Sequence, residues 1–284
     1  MAYKQTWLSL YNVPLPDCPA SFKQYTWDKP GVQHDIASIW DSQTDDVHRA
    51  RLTAAAAPHS GDWLHALPIS SCGLKLDNET VRIAVVLRLG IELCVPHACP
   101  CGTMVDALGI HGLSCRLVCG RMARHQILND LIWRAFSKAS IPACKEPSGL
   151  LRTDGKQPDG LSLIPWQAGK AVTWDVTVIN TLAASYASAS LNPGGAAELA
   201  AERKSLKYSV LANSYLFQPL AFETLGPINT SGIAFISELG RRIRLISGDP
   251  RESSFLFQRL SLAVQRFNSI AFRGTFATLC ETDD

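Results

Sequence analysis

The sequence predicts an α/β protein, and three observations support that class. Short apolar runs that favour strands stand at residues 141–151, 158–166, 171–183 and 216–226. Longer segments with helical spacing of apolar residues lie before, between and after these runs. Turns that contain Gly, Pro and Lys separate neighbouring runs. From residue 120 onward, the predicted order is therefore helix, three strands, helix, strand and two helices.

The first part of the chain, residues 1–93, is predicted to be a helical and partly irregular leader. It carries scattered prolines, a short helical stretch at residues 45–57 and a longer helix that begins with a cap at Asp77 or Asn78. No catalytic constellation is visible in this part. The apolar face of the longer helix is predicted to be the row Val81, Val85 and Leu89.

Composition excludes some partners and allows others. The 284 residues carry a formal net charge of +2, so the total does not demand a polyanionic partner. Residues 94–170 hold nine Lys/Arg against five Asp/Glu, a local +4 that is compatible with a nucleic-acid face. The N-terminus lacks the apolar core of a secretory signal, and no stretch is long enough to span a bilayer. An intracellular protein without a membrane partner is therefore expected.

Five of the nine cysteines fall within residues 94–119, which indicates a metal site, because thiols stay reduced inside cells. Four of the residues in this segment stand in two close pairs, as tetrahedral zinc requires. Such a set leaves no open coordination position, so a structural zinc is predicted. The predicted ligands are Cys99, Cys101, His111 and Cys115.

The zinc ligand set has alternatives. Cys94, His97 and Cys119 lie close enough in sequence to replace one of the four. The Cys-x-Cys pair is also tighter than the usual Cys-x-x-Cys. The competing interpretation is that the cysteines are free and packed as small apolar side chains.

Two aspartates accompany two of the predicted strands. Asp159 stands at the edge of one strand, and Asp175 lies inside the next. Two carboxylates held side by side in a sheet repel each other unless a cation lies between them. A hard divalent ion, Mg²⁺ or Mn²⁺, would compensate the two negative charges and can activate water for attack on a phosphate. Glu146 could supply a third carboxylate from the first strand.

Lysines for such a site lie on the helix that follows. Lys204 and Lys207 are three residues apart and therefore share a helix face. Either could stabilise developing negative charge. The structural alternative is that Asp159 caps a Pro-Asp-Gly turn and Asp175 pairs with a lysine.

The order of these motifs resembles the C-terminal zinc knuckle and restriction-like endonuclease of site-specific non-LTR retrotransposons. Those nucleases belong to the PD-(D/E)XK superfamily, whose core order α-β-β-β-α-β matches residues 121–225. The resemblance extends over residues 60–275 and rests on the ordered series rather than on one motif. The matching positions are Cys99, Cys101, His111, Cys115, Arg124, His125, Asn129, Glu146, Asp159, Asp175, Lys204, Lys207 and Tyr208.

The resemblance implies a restriction-endonuclease-like core with a small zinc knuckle and a helical leader. It implies a leader at 1–93, a knuckle at 94–119, a nuclease domain at 120–275 and a tail at 276–284. Asp159, Asp175 and Glu146 would be catalytic carboxylates, the first two of them magnesium ligands. Lys204 or Lys207 would be the catalytic lysine, because the usual Asp-x-Lys reads Asp-Val-Thr here. Arg124, His125 and Asn129 would contact DNA or serve a structural role.

The expected function is target-site nicking of double-stranded DNA, in the nucleus, with the element's RNA as an additional partner. No polymerase motif accompanies the series in this sequence. Two alternatives stay open: a non-catalytic, zinc-stabilised nucleic-acid-binding protein, and an inert retroelement remnant.

Overall fold

The computed structural model describes residues 2–12, 14, 24–118, 120–150 and 157–276. Contacts divide the chain into two compact units, Met1–Arg49 and Ala50–Asp284. In the first unit, α1 (Ala2–Tyr11) and α2 (Gln24–Asp41) meet where the ring of Tyr11 lies against Gly31. A β-carbon at position 31 would lie 2.8 Å from that ring, so glycine permits the close approach.

The second unit contains the remaining helices, apart from α3 (Asp46–Ala56), which begins in the first unit. Their bounds are α4 (Asn78–Leu89), α5 (Gly120–Lys138), α6 (Gly195–Lys207), α7 (Thr230–Ser247) and α8 (Glu252–Arg273). Short 3-10 turns lie between them, among them Asp62–His65 and Ile110–Leu113.

The strands are β1 (His97–Ala98), β2 (Met104–Val105), β3 (Ala143–Lys145), β4 (Gly160–Ser162), β5 (Val172–Ile179) and β6 (Leu216–Glu223). A mixed sheet of four of them forms the centre of this unit, in the order β3-β4-β5-β6. The first three strands of this sheet are antiparallel neighbours, whereas β5 and β6 are parallel and are joined by the crossover connection that parallel strands need. A separate hairpin pairs β1 with β2.

The two faces of the sheet are covered by different helices. On one face, Trp174 and Val176 of β5 pack into an apolar core with Phe136 of α5 and residues of α7 and α8. On the other face, small residues of α6 pack against Ile179 and Ala221. The α6 residues in that contact are Ala196, Ala197, Ala200 and Ala201. The predicted mixed α/β class is confirmed, and the elements from residue 120 onward follow the predicted order.

Helix α8 is the element on which the parts of this unit assemble. Contacts join it to α4, to α5, to α7 and to the 3-10 turns at 62–65 and 110–113. Trp63 of the first turn packs with Ala84 of α4 and Leu262 of α8. The predicted leader, residues 1–93, is therefore divided: its residues from Ala50 onward belong to the second unit, because their apolar side chains are buried there.

The predicted face of α4 was wrong. Asp77 caps the helix as expected, since its carboxylate accepts a hydrogen bond from the Thr80 backbone N–H at 2.7 Å. The side chains of Val81, Val85 and Leu89 are exposed. The buried row lies on another side of the helix and comprises Thr80, Ile83, Ala84, Val86 and Leu87.

Candidate functional site

The four predicted zinc ligands come together in space. Their ligand atoms all lie within 4.8 Å of one another. The sulfur atoms of Cys99 and Cys115 are 3.8 Å apart, and the Cys101 sulfur lies 3.2 Å from Nε2 of His111. Two sulfurs bound at ~2.3 Å to one tetrahedral ion would be about 3.8 Å apart. The donor set and its spacing therefore fit a single zinc ion.

A tight hairpin positions two of these ligands. Cys99 and Cys101 lie in the turn between β1 and β2, where the Gly102 backbone N–H donates to the Cys99 carbonyl at 2.8 Å. Gly102 has φ +86°, a conformation that favours glycine. His111 lies in the 3-10 turn at 110–113, and Cys115 follows it with its backbone N–H on the His111 carbonyl at 3.0 Å.

The cluster packs directly on α8. A β-carbon at Gly109 would lie 2.6 Å from the Phe272 ring, and one at Gly120 would lie 2.5 Å from the Ala271 backbone nitrogen. Cys99, Cys115 and Val105 share a buried apolar cluster with Ala271. Because the backbone approaches α8 so closely, the zinc cluster and the helical body are one packed structure.

The cysteines of the cluster differ in their acidity. Hydrogen bonds from Thr103 lower the pKa of the Cys101 thiol to about 6, whereas burial raises the pKa of Cys99 to about 11. The lowered pKa favours the thiolate form of Cys101, which is the form that binds a metal. Cys99 loses its proton when a cation compensates the buried charge.

Two of the alternative ligands are engaged elsewhere. The Cys94 sulfur lies 3.4 Å from the Asp106 carbonyl. The His97 ring stacks on Phe276 with centroids 3.9 Å apart, and its Nε2 lies 2.9 Å from the Thr275 hydroxyl. Neither joins the four-residue cluster. Cys119, the third alternative, lies outside the described residues.

Asp175 occupies the face of β5 that is covered by α6. Its carboxylate is 4% exposed, is paired with the Lys204 ammonium and accepts a hydrogen bond from the Tyr208 hydroxyl at 3.0 Å. Burial raises the pKa of Asp175, and the negative charge of Asp159 raises it further, against the lowering effect of Lys204. The charge of Asp159, at the start of the neighbouring strand, therefore acts on Asp175.

Asp159 is bound to the outer edge of β5. Its Oδ2 accepts a hydrogen bond from the Val176 backbone N–H at 2.6 Å and contacts His125 Nε2 at 3.1 Å. The same His125 nitrogen lies 3.1 Å from the Val176 carbonyl. Because both partners accept, Nε2 carries the proton. The hydrogen bond to Asp159 raises the pKa of His125 above its usual value.

Asn129 supports the same segment from one helical turn further along α5. Its amide nitrogen donates to the Asp159 carbonyl at 3.2 Å, and its amide oxygen accepts from the Trp174 indole at 2.9 Å. Asn129 therefore links the start of β4 to β5. Both Asn129 and His125 hold Asp159 in place from α5.

Arg124 is buried, unlike an arginine that contacts a DNA groove. Its guanidinium is 1% exposed and donates to the Asn268 side chain at 2.5 Å and to the Leu113 carbonyl at 3.1 Å. These bonds join α5 to α8 and to the turn that carries His111. Of the two roles predicted for Arg124, this geometry favours the structural one.

Glu146 does not complete a carboxylate triad. It lies just after β3, is exposed, and has φ +46°. Its backbone N–H donates to the Asp159 carbonyl at 3.1 Å, so its backbone is near the aspartate pair. Among the described residues, the Cys/His cluster alone gathers three or more ligating side chains. Glu146 was predicted as a third carboxylate, and the structure does not bring its side chain into such a group.

The two candidate lysines on α6 have different surroundings. Lys204 reaches Asp175, whereas Lys207 is exposed and makes no described contact with either aspartate. Tyr208 is a site residue to which the prediction assigned no role, and its hydroxyl oxygen also lies 3.0 Å from the Gln157 carbonyl oxygen. Its position four residues after Lys204 places both side chains on one helix face, and this spacing could have identified it.

Comparisons with known proteins leave the chain without an assigned relative. No protein-family model matches it, and a search of curated proteins finds no match. Within the part of the chain that the structure describes, the helices are all too short or too polar to cross a bilayer.

Proposed function

We propose that this protein is a metal-dependent DNA endonuclease that nicks double-stranded DNA in the nucleus. In this proposal, it is related to the zinc-knuckle and restriction-like nuclease region of site-specific non-LTR retrotransposons, whose element RNA is an additional partner. One observation carries the proposal. Lys204 pairs with the buried Asp175, and the charge of Asp159, which stands at the start of the neighbouring strand, acts on the same carboxylate.

The connections of the sheet support this assignment. The order α5-β3-β4-β5-α6-β6, with three antiparallel strands and a helical crossover to a parallel fourth, agrees with the order expected for the proposed superfamily. The two aspartates lie where β4 begins and in the middle of β5, and the lysine comes from the crossover helix.

The two carboxylates fit a magnesium-like ion. Mg²⁺ is commonly held by one or two carboxylates and keeps several water molecules, so a third acid is not required. Asp159 and Asp175 would hold the ion. Burial and the charge of Asp159 raise the pKa of Asp175, and a bound cation would oppose both effects. When bound, such an ion polarises a phosphate and acidifies a water molecule.

The remaining side chains have roles that follow from their contacts. The Lys204 ammonium, beside Asp175, would stabilise the negative charge that develops on the attacked phosphate. His125 and Asn129 are positioning residues for Asp159. Tyr208 orients the Asp175 carboxylate. The zinc cluster is a structural support, because its four ligands leave no open position.

A non-catalytic nucleic-acid-binding protein is the second candidate function. The exposed, outlying Glu146 favours it, since fewer acidic ligands weaken the affinity for a catalytic ion. An inert retroelement remnant is the third candidate. All three share the zinc cluster, so only a measurement of cleavage separates the first from the others.

The decisive experiment measures nicking of supercoiled plasmid with Mg²⁺ by the wild type and by Asp175→Asn. The amide keeps the size of the side chain but removes the charge that would bind the ion. We expect the rate to fall at least about a hundred-fold, the scale of losing one key electrostatic group. Asp130→Asn is the matched control, because Asp130 is also an ion-paired acid, although it is only half-buried, and its partners are Arg134 and Lys145 rather than Lys204.

The outcomes of this experiment are distinct. Loss of nicking in Asp175→Asn with full nicking in Asp130→Asn supports the nuclease. Equal nicking by all three proteins, or nicking by none of them, eliminates it. Circular dichroism and zinc content of each variant verify that the fold is intact.

A further inference from the structure

An exposed groove lies beside the aspartate pair, between the start of α5 and the outer edge of β5. It consists of two adjoining clefts of about 800 Å³ and 400 Å³. Both clefts are lined by Arg116, Arg121, Thr177 and Val178. The groove therefore runs along the strand that carries Asp175.

The groove is lined by arginines without counter-charges. Arg116 and Arg121 are exposed, and no described acidic side chain pairs with either. Arg124 forms part of the wall of the smaller cleft, and its buried Nε has no hydrogen-bond partner among the described residues. Burial lowers the pKa of Arg124 to about 10, and the charge of Arg121 contributes in the same direction. The guanidinium groups of Arg116 and Arg121 are therefore available to an anion in the groove, and the buried Arg124 lies behind them.

The strand edge along this groove is also open. On the β4 side, described strand pairing with β5 ends at Trp174. At Val176, the backbone N–H donates a hydrogen bond to Asp159, and the backbone carbonyl accepts one from His125. Beyond them, Thr177 and Val178 line the groove rather than pairing with a strand on that side. A ligand in the groove therefore meets an accessible backbone as well as the arginines.

His125 connects this groove to the candidate active site. Its ring lines the larger cleft, and its Nε2 contacts the Asp159 carboxylate at 3.1 Å. A chain of phosphates lying in the groove would thus lead directly to the aspartates. The repeated negative charge of a nucleic-acid backbone matches the row of arginines, as phosphate contacts by Arg commonly do.

We propose that the groove lined by the exposed Arg116 and Arg121 binds the phosphate backbone of the DNA strand next to the phosphate that is cut. The proposal rests on the nuclease function, since it defines how substrate reaches that site. Phosphate contacts of this kind fix the position of DNA without reading its sequence. An acidic peptide strand added to the β5 edge is the competing occupant.

The test measures binding of a fluorescent DNA duplex by anisotropy over a range of salt concentrations. Ca²⁺ replaces Mg²⁺ so that binding is separated from cleavage. The variant is Arg116→Gln/Arg121→Gln, because both side chains are exposed and their replacement leaves the core intact. The matched control is Arg241→Gln/Arg244→Gln, which removes two exposed arginines from α7.

We expect the groove variant to lose about two phosphate contacts. The slope of log Kd against log salt should then fall by about 2, and Kd should rise on the order of ten-fold at physiological salt. The control should bind like the wild type. An unchanged slope in the groove variant, or an equal loss in the control, overturns the proposal. Equal competition by a polyglutamate peptide of matched charge also overturns it.

The result separates this proposal from the proposed function. If the wild type does not nick plasmid but the groove variant shows the reduced salt slope, the groove is supported and catalysis is not. If the wild type nicks plasmid and the groove variant binds DNA normally, catalysis is supported and the groove is not.

Discussion

At the scale of single residues, the two oxygens of Asp175 have different partners. Lys204 pairs with one oxygen, and the Tyr208 hydroxyl donates to the other. Both partners belong to one face of α6 and its C-terminal end. The carboxylate is therefore held rigidly in a buried place, as an ion ligand needs to be.

We predict that Lys204 and Lys207 differ in function although they are only three residues apart. Lys204→Met should reduce nicking roughly a hundred-fold, because it removes the cation beside Asp175. Lys207→Met is the matched control and should nick like the wild type, since Lys207 is exposed. Equal losses in the two variants would contradict the assignment.

The Lys204→Met variant should also differ from the wild type in how its free energy of unfolding depends on pH. Without Lys204, the pKa of Asp175 rises further above its unfolded value, because burial and Asp159 remain. An acid with a raised folded pKa destabilises the fold when it is ionised, so the deficit of Lys204→Met should be largest at neutral pH. Urea unfolding should show the deficit shrinking as pH falls through the folded pKa. A deficit that grows toward acid pH would exclude this explanation.

Residue identities at both sites were predictable only in part. Soft ligands at close spacing identified the Cys/His cluster that could hold a metal such as zinc, because the chemistry of the four side chains is specific. The burial of Arg124 could not be predicted, because its partner Asn268 lies 144 positions away on α8. Likewise, no local pattern shows that Glu146 adopts positive φ and stays exposed.

At the scale of elements, the hairpin of β1 and β2 has two paired positions and cannot be stable alone. Its order comes from the cysteine turn and from packing on α8. The backbone contacts of Gly109 and Gly120 with α8 make this packing close. If the hairpin lost its structure, α8 and the start of α5 would therefore lose packing contacts as well.

Removing zinc should consequently lower the stability of the second unit. We expect one zinc per chain by atomic absorption, and a fall in Tm on the order of 10 °C after chelation or in Cys101→Ser. Cys72→Ser, which changes an exposed cysteine away from the cluster, should have the wild-type Tm. An unchanged Tm in the chelated protein would show that the cluster does not support the fold.

Helix α4 shows why an element can be predicted while its orientation is not. Its start at Asp77 and its end at Gly90 follow from local capping chemistry. Its sequence, however, contains two apolar rows, and either could have faced the core. Contact with α8 buries Ile83 and Leu87 and leaves Val85 exposed, a choice that depends on distant residues.

At the scale of the whole molecule, the unit that begins at Ala50 has its own apolar core. A chain starting at Asp45, whose carboxylate accepts from the Val47 backbone N–H, should keep its zinc and a Tm within about 3 °C of the wild type. A chain starting at residue 94 should lose stability, because it lacks Trp63 and α4. Thermal unfolding of both truncations measures this, and the prediction fails if they behave alike.

The order of elements was predictable because strands with Gly and Pro turns and helices with apolar rows have distinct local patterns. The assembly around α8 was not. Contacts such as Trp63 with Ser261 join positions 198 residues apart, and no local pattern encodes them. The strand pattern was enough to predict that Asp159 and Asp175 belong to neighbouring parts of the sheet, whereas the arginine groove joins residues on separate elements.

The open half of β5 has a consequence for the protein in the absence of any ligand. The unpaired N–H and C=O groups of a strand edge can pair with a strand from a second copy of the same chain, which leads to aggregation. Arg116 and Arg121 would then face their own counterparts in the other copy, and this like-charge repulsion opposes self-association. High salt screens that repulsion. Concentrated protein without DNA should therefore oligomerise through this strand edge most readily at high salt.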